Sequence, residues 1–160
     1  MWKFALTVEN LTKIYTGSKT KKQNKALNDL TFSVKQGEIF GLLGPNGAGK
    51  TTFLSILGGT VVKTSGKVNV WGFDLDQNPR QVRASIGIVP QEVNLDAFFS
   101  PQKLLELQAG LYGVTKRDRI TELILKMVAL EEKANAYSRS LSGGMKRRLL
   151  IAKAMVHQPP

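Results

Sequence analysis

Apolar and polar residues alternate along the first third of the chain, with a period of two over residues 5–11 and again over residues 27–34. A period of two places alternate side chains on one face of a sheet, so both segments are predicted strands. Residues 38–43 are apolar on both faces, which is typical of a strand in the buried centre of a sheet. Short apolar segments bounded by glycine or proline predict two more strands, at residues 67–71 and 86–89.

The second half of the chain changes to helical spacing. Ser100 followed by Pro101 predicts a helix over residues 102–111, because serine caps helix N-termini and proline fits the first helical position. A last helix is predicted from about residue 144 to residue 156. Strands followed by helices indicate a mixed α/β core with an attached helical lobe.

Another helix is predicted behind Thr115 and Asp118, whose spacing resembles a capping box. The apolar residues behind this pair repeat at helical spacing and predict one buried face. That face consists of Ile120, Leu123, Ile124, Met127 and Val128.

Composition narrows the class of protein. A chain of 160 residues with 42% apolar residues can form one compact domain, and it is too apolar to be intrinsically disordered. No segment approaches the roughly 18 uninterrupted apolar residues of a membrane-spanning helix. The apolar stretch at the N-terminus is too short for a signal peptide. The absence of cysteine excludes a disulfide scaffold and any thiolate metal site. A cytosolic domain is therefore expected.

The charge balance raises the question of an anionic partner. The chain has 23 basic and 12 acidic residues, a net charge of +11, which suits nucleic acid or an anionic membrane surface. A lysine cluster surrounds Gly17, formed by Lys13, Lys19, Lys21, Lys22 and Lys25. Short lysine runs commonly serve solubility, so this cluster is interpreted as a solvated loop and nucleic acid is not a predicted partner.

Residues 44–51 match the phosphate-loop pattern G-x-x-x-x-G-K-[ST], between a predicted strand and a predicted helix over residues 51–57. Glycines let successive backbone N–H groups point at an anion, and the helix N-terminus adds its dipole. We expect Lys50 to reach the β- and γ-phosphates, Thr51 to ligate Mg²⁺ and Thr52 to donate near the α-phosphate. The predicted phosphate site comprises Gly44, Pro45, Asn46, Gly47, Ala48, Gly49, Lys50, Thr51 and Thr52.

Ser142, Gly143 and Gly144 precede the last predicted helix. By themselves they also fit a flexible helix cap. At this distance behind a phosphate loop, Leu141-Ser142-Gly143-Gly144-Met145 resembles the signature sequence of ATP-binding cassette (ABC) ATPases. The resemblance implies an α/β P-loop NTPase core with an N-terminal antiparallel β-subdomain and an α-helical lobe, with ATP and Mg²⁺ as ligands.

The resemblance also implies roles for single residues. Tyr15 would stack on adenine, with simple packing as the alternative, and Gln91 would contact Mg²⁺ and the attacking water, with an ordinary loop position as the alternative. Two cassettes would associate head to tail, so that Ser142, Gly143 and Gly144 contact the ATP held by the partner cassette.

The amino-acid sequences of these motifs are similar to those of ATP-binding subunits of bacterial drug- or polysaccharide-efflux exporters. That branch implies a separate transmembrane permease as partner and a peripheral place on the inner, cytoplasmic face of the plasma membrane. Phe98 and Phe99 would then flank the groove where the permease docks, or else lie in the core. A soluble ABC protein acting on ribosomes or nucleic acid is the rival interpretation.

The sequence departs from the family pattern after residue 156. The family continues with an apolar strand that ends in Asp-Glu, and later with a switch histidine, none of which occurs within residues 1–160. The chain is therefore interpreted as a C-terminally incomplete cassette, with the nucleotide-binding core and β-subdomain over about residues 1–90 and the helical lobe over about residues 91–156. It is expected not to hydrolyse ATP alone, which leaves a non-hydrolysing nucleotide-binding module as a third alternative. His157 is interpreted as a solvated residue.

Overall fold

The computed structural model of the protein describes residues 3–17 and 23–160. The chain forms two compact units, an N-terminal unit of residues 1–85 and a C-terminal unit of residues 86–160. Three members of the lysine cluster, Lys19, Lys21 and Lys22, lie outside the described residues. The functional division predicted near residue 90 stays a prediction.

The N-terminal unit contains a four-stranded antiparallel sheet with the spatial order β2-β1-β3-β4. Its strands are β1 (Phe4–Thr16), β2 (Gln23–Lys35), β3 (Ser65–Val70) and β4 (Phe73–Asp74). The register places Val8 of β1 opposite Phe32 of β2 and opposite Val68 of β3. This sheet confirms the predicted strands at residues 5–11 and 27–34. It also confirms the strand predicted at residues 67–71, which here runs from Ser65 to Val70.

Two helices accompany the sheet, α1 (Lys50–Leu57) and α2 (Pro79–Ala84). The Phe53 ring of α1 meets the Phe32 ring of β2 edge to face, with 5.5 Å between the ring centroids. The buried apolar side chains of this unit are Val8, Leu11, Leu27, Phe53, Ile56, Val68, Val70, Leu75 and Val82. Because they come from strands and helices alike, burial of both kinds of element stabilises the unit.

Residues 38–43 do not form the predicted central strand. Ile39 is fully exposed and Leu43 is 93% exposed, while the Phe40 ring stacks on Phe32 at a centroid distance of 5.1 Å. An apolar segment becomes a central strand only where neighbouring strands supply backbone hydrogen bonds and covering side chains. The strands described here pair with one another and not with residues 38–43, so this prediction is wrong.

The C-terminal unit is built from three helices, α3 (Pro101–Leu111), α4 (Thr121–Met127) and α5 (Gly143–Met155). The Ser100 hydroxyl accepts a hydrogen bond from Lys103 N at 3.3 Å, which confirms the predicted N-cap. The helices enclose a core formed by Leu104, Leu105, Ala109, Ile124, Leu125, Leu130, Leu141, Leu149, Ala152 and Val156. Among residues 3–17 and 23–160, no helix combines the length and apolar character needed to cross a membrane.

The predicted strand at residues 86–89 is also wrong. Its first residues pack on the end of α5 instead: the Ile86 carbonyl lies 3.0 Å from His157 Nε2, and a methyl group on Gly87 would lie 2.4 Å from the Ala154 carbonyl oxygen. His157 is therefore not a solvated residue. Its ring is partly buried and stacks on Tyr112 with 3.8 Å between the ring centroids.

The predicted capping box does not begin a helix. The Thr115 hydroxyl donates to the Asp118 carboxylate at 2.6 Å within a 3₁₀ turn, and α4 begins only at Thr121. The helix is rotated relative to the predicted face, since Leu123 and Met127 are 55% and 61% exposed. The buried residues of α4 are Thr121, Ile124 and Leu125.

Candidate functional site

The phosphate-loop residues form an exposed turn that leads directly into α1. Ala48 N donates to the Pro45 carbonyl at 3.2 Å, and Phe53 N donates to the Gly49 carbonyl at 2.9 Å as the helix starts. Gly47 and Gly49 have φ angles of +85° and +87°, in the left-handed region that favours glycine. The loop therefore curls where the pattern predicts, although residues 38–43, directly before it, do not form a strand.

Strand β2 supports the loop from one side. A methyl group placed on Gly49 would lie 2.3 Å from the Ala26 carbonyl oxygen and 2.7 Å from Leu27 Cδ2, so only glycine allows this approach. A cavity of about 450 Å³ lies at this junction, lined mainly by residues 25–28 of β2 and residues 47–50 of the loop. The loop is thus positioned by the sheet as well as by the helix that follows it.

The Lys50 side chain folds back over the loop. Its ammonium donates to the Gly44 carbonyl at 2.6 Å and to the Pro45 carbonyl at 2.8 Å. Thr51 is exposed and Thr52 is partly buried on the first turn of α1. A helix N-terminus, curled backbone and a lysine ammonium in one place have the chemistry to hold an anion such as phosphate.

Tyr15 lies near the end of β1, opposite Asn24 of β2, and its side chain is 39% exposed. It borders a second cavity, of about 520 Å³, whose other lining residues are Thr16, Gly17, Gln23 and Asn24. An exposed aromatic ring beside a cavity of this size can stack on a flat ligand such as a nucleotide base.

Lys13 is the residue of this region that sequence reasoning missed. It belongs to the lysine cluster that is interpreted as a solvated loop, but it is partly buried, and its ammonium lies 4.7 Å from the centroid of the Tyr15 ring. The same ammonium donates to the Val62 carbonyl at 2.7 Å. The sequence feature that could have indicated this contact is the spacing, since Lys13 lies two residues before Tyr15.

The remaining predicted site residues belong to the C-terminal unit. Ser142 caps α5, with its hydroxyl accepting from Met145 N at 3.2 Å. Gly143 and Gly144 are exposed, and a methyl group on either would meet no atom within 4 Å, so the helix N-terminus is open. Gln91 is exposed in an irregular segment. The contacts of these residues with a nucleotide stay predictions, because the phosphate loop belongs to the other unit.

The structure separates the two neighbouring phenylalanines. Phe98 is 71% exposed, and the Arg139 guanidinium lies 5.8 Å from its ring centroid and 5.1 Å from that of Tyr137. Phe99 is partly buried and packs against the core of the C-terminal unit. The core alternative therefore applies to Phe99, and a place beside the permease groove stays a prediction for Phe98.

The donors for a magnesium ion are few in the described residues. Within residues 3–17 and 23–160 no group of three His, Cys, Asp or Glu side chains is placed to hold a metal. Mg²⁺ commonly keeps several waters and binds substrate phosphates with one or two protein oxygens. The exposed Thr51 hydroxyl beside the phosphate loop fits one such ligand.

Residues 27–160 match the sequence profile of the family described as ABC transporter. The chain belongs to this family. The match covers the phosphate loop, Gln91 and the Ser142-Gly143-Gly144 signature, so the predicted family is confirmed.

Two relatives show which proteins within the family are similar. The chain is 40% identical to the Nod factor export ATP-binding protein I of Cupriavidus pinatubonensis over 159 residues, which is 96% of this chain and 49% of the relative. It is also 40% identical to the linearmycin resistance ATP-binding protein LnrL of Bacillus subtilis, over 96% of this chain and 47% of that protein. The chain thus spans about half the length of the curated relatives it matches.

A solved structure shows the same fold. The chain is similar to a dimeric ATP-binding cassette in a post-hydrolysis state, bound to ADP and Pi, with a TM-score of 0.79 and 29% sequence identity. The similarity covers 97% of this chain and 71% of that one. The predicted α/β ABC ATPase fold class is confirmed.

Proposed function

We propose that this ABC family chain binds ATP as part of an ATP-binding subunit that powers export through a separate membrane protein. The observation that carries the proposal is the curled loop at the N-terminus of α1, where the Lys50 ammonium is held 2.6 Å from the Gly44 carbonyl. Phosphate oxygens would replace those loop carbonyls as the partners of the ammonium, since a cation is attracted more strongly to an anion than to a neutral carbonyl.

The nucleotide would use the cavity beside the phosphate loop and the cavity beside Tyr15. Residues 44–52 would hold the phosphates, and Tyr15 would stack on the adenine base. When bound, Mg²⁺ would screen the phosphate charge, with Thr51 as one ligand and Gln91 as a second. These roles come from the family pattern, and the open cavities beside the loop and beside Tyr15 support them.

We further propose a head-to-tail dimer of cassettes. The N-terminus of α5 is open at Gly143 and Gly144, so it could receive the terminal phosphate of ATP held by a second copy, with Ser142 as an additional contact. The solved structure similar to this chain is itself a dimeric cassette.

A permease is the proposed membrane partner, and the subunit would lie at the inner, cytoplasmic face of the plasma membrane. Phe98 is the proposed contact, because a largely exposed phenylalanine offers apolar surface to a partner. The names of both relatives refer to export or to drug resistance, which favours export over action on the ribosome or nucleic acid. Hydrolysis is assigned to the whole subunit, and residues 1–160 supply nucleotide binding.

The test replaces Lys50 in the full-length protein. Lys50→Ala should weaken Mg-ATP binding in calorimetry about ten- to a hundredfold, because hydrogen bonds to a charged group are worth roughly 1.5–3 kcal/mol. Lys67→Ala is the matched control, since Lys67 is an exposed lysine of β3 in the same unit. Both variants should unfold at the same urea concentration as the unmodified protein.

If Lys50→Ala binds ATP as tightly as the unmodified protein does, the proposed function is contradicted. A similar fall in affinity for both variants would show that ATP responds only to the overall charge of the unit.

A further inference from the structure

The Lys13 ammonium has two defined contacts in the N-terminal unit. It lies 4.7 Å from the centroid of the Tyr15 ring and donates to the Val62 carbonyl at 2.7 Å. The side chain is partly buried although it carries a charge. The ring face and the Val62 carbonyl, which lies at the surface, together favour one orientation of this flexible side chain.

Two hydrogen bonds connect the same stretch of β1 to the segment that contains Val62. Ile14 N donates to the Thr64 hydroxyl at 3.0 Å, and Thr64 N donates to the Thr12 carbonyl at 2.9 Å. That segment follows α1, and the phosphate loop leads into the first turn of the same helix. The end of β1, where Tyr15 lies, is thereby connected to the element that positions Lys50.

The placement of the ammonium leaves room for a base. Tyr15 lines the cavity of about 520 Å³, whereas Lys13 does not, so the ammonium does not fill the space beside the ring. A cation near the face of an aromatic ring attracts it, and the ring is thereby restrained against rotation. A restrained ring binds a flat ligand at a lower entropic cost than a freely rotating one.

We propose that Lys13 is a positioning residue for the nucleotide base: its ammonium, anchored on the Val62 carbonyl, holds the Tyr15 ring in the orientation that stacks on adenine. The proposal rests on the proposed function, because it assigns Tyr15 to the base. In this arrangement Lys13 acts through the Tyr15 ring and is assigned no contact with the base or the phosphates. Its contribution is therefore confined to ligands that carry a base.

The experiment compares ligands with and without a base. Mg-ATP, Mg-ADP and inorganic tripolyphosphate are titrated into the full-length protein and into Lys13→Met, which keeps the aliphatic stem and removes the charge and the donor. ATP and ADP should both weaken by about two- to fivefold, the scale of one exposed cation–π contact. Tripolyphosphate affinity should not change. Lys67→Met, at an exposed position of β3, is the control and should leave all three affinities unchanged.

A double-mutant cycle and a rescue separate positioning from general stability. In the Tyr15→Ala background, Lys13→Met should cause no further loss of ATP affinity, because the ring it positions is gone. Lys13→Arg should retain most of the affinity, since a guanidinium can lie over the ring and still donate to the Val62 carbonyl.

Several results would overturn the assignment. An equal loss of tripolyphosphate affinity would place Lys13 on the phosphates, and additive losses in the double mutant would separate it from Tyr15. If Lys50→Ala abolishes ATP binding while Lys13→Met changes nothing, only the Lys13 proposal fails. If the unmodified protein binds tripolyphosphate and ATP equally well, adenine is not recognised and the Lys13 proposal fails while the phosphate site stands. If the unmodified protein binds no ATP, both proposals fail.

Discussion

Replacing Gly49 by alanine tests whether the phosphate loop depends on its close approach to β2. Gly49 has a φ of +87°, and a methyl group there would lie 2.3 Å from the Ala26 carbonyl oxygen. That oxygen belongs to the backbone of a paired strand, so it cannot move without displacing β2. The Leu27 side chain, at 2.7 Å, can rotate away and is the smaller obstacle.

The magnitude follows from two terms. A left-handed conformation costs a non-glycine residue about 1–2 kcal/mol, and forced overpacking costs typically about 1–3 kcal/mol. Gly49→Ala should therefore lower the free energy of unfolding by about 2–5 kcal/mol. Gly47→Ala is the matched control, because Gly47 has a φ of +85° but a methyl group there would meet no atom within 4 Å. Only the conformational term of about 1–2 kcal/mol applies to it.

Urea unfolding of the full-length protein measures both free energies by linear extrapolation. Gly49→Ala should also weaken Mg-ATP binding more than Gly47→Ala, since displacing the loop from β2 misaligns its N–H groups. Equal destabilisation by the two substitutions would refute the reasoning, because it would mean that the contact with Ala26 contributes nothing. An unchanged m-value is required for the comparison.

Two further predictions concern the C-terminal unit. Burial lowers the pKa of His157 from its ordinary value of 6.5, against the opposing hydrogen bond to the Ile86 carbonyl. The unfolded chain therefore takes up the proton first as the pH falls, so the contribution of His157 to the free energy of unfolding is full above pH 6.5 and decreases below it. His157→Gln should flatten the dependence of the urea-unfolding free energy on pH between about pH 7.5 and about pH 5.5. An unaltered dependence would contradict this. Phe98→Ser should reduce co-purification of the permease without lowering the melting temperature. Phe99→Ser should destabilise the C-terminal unit by about 2–4 kcal/mol. If Phe98→Ser lowers the melting temperature and leaves co-purification unchanged, Phe98 is excluded as the docking contact.

Local chemistry is what the sequence predicts well in this protein. The Ser100 and Ser142 caps are confirmed because a serine hydroxyl bonds to backbone N–H groups only a few residues away. The phosphate loop is likewise a local structure, since glycine alone allows the left-handed φ of Gly47 and Gly49. Residue type and spacing are sufficient for the caps and for these φ angles, whereas the position of the loop against β2 is not a local property.

Only the tertiary structure decided which apolar residues find neighbours. Residues 38–43 and residues 86–89 have the composition of strands, but a strand exists only where another chain segment pairs with its backbone. The contact of Lys13 with Val62 joins residues 49 positions apart, and that of Gly49 with Ala26 joins a loop to a strand. Spacing along the sequence holds no information about such approaches, because they depend on how the sheet and helices pack. The stacking of His157 on Tyr112 follows the same rule, since the histidine became partly buried only through the packing of α5 against α3.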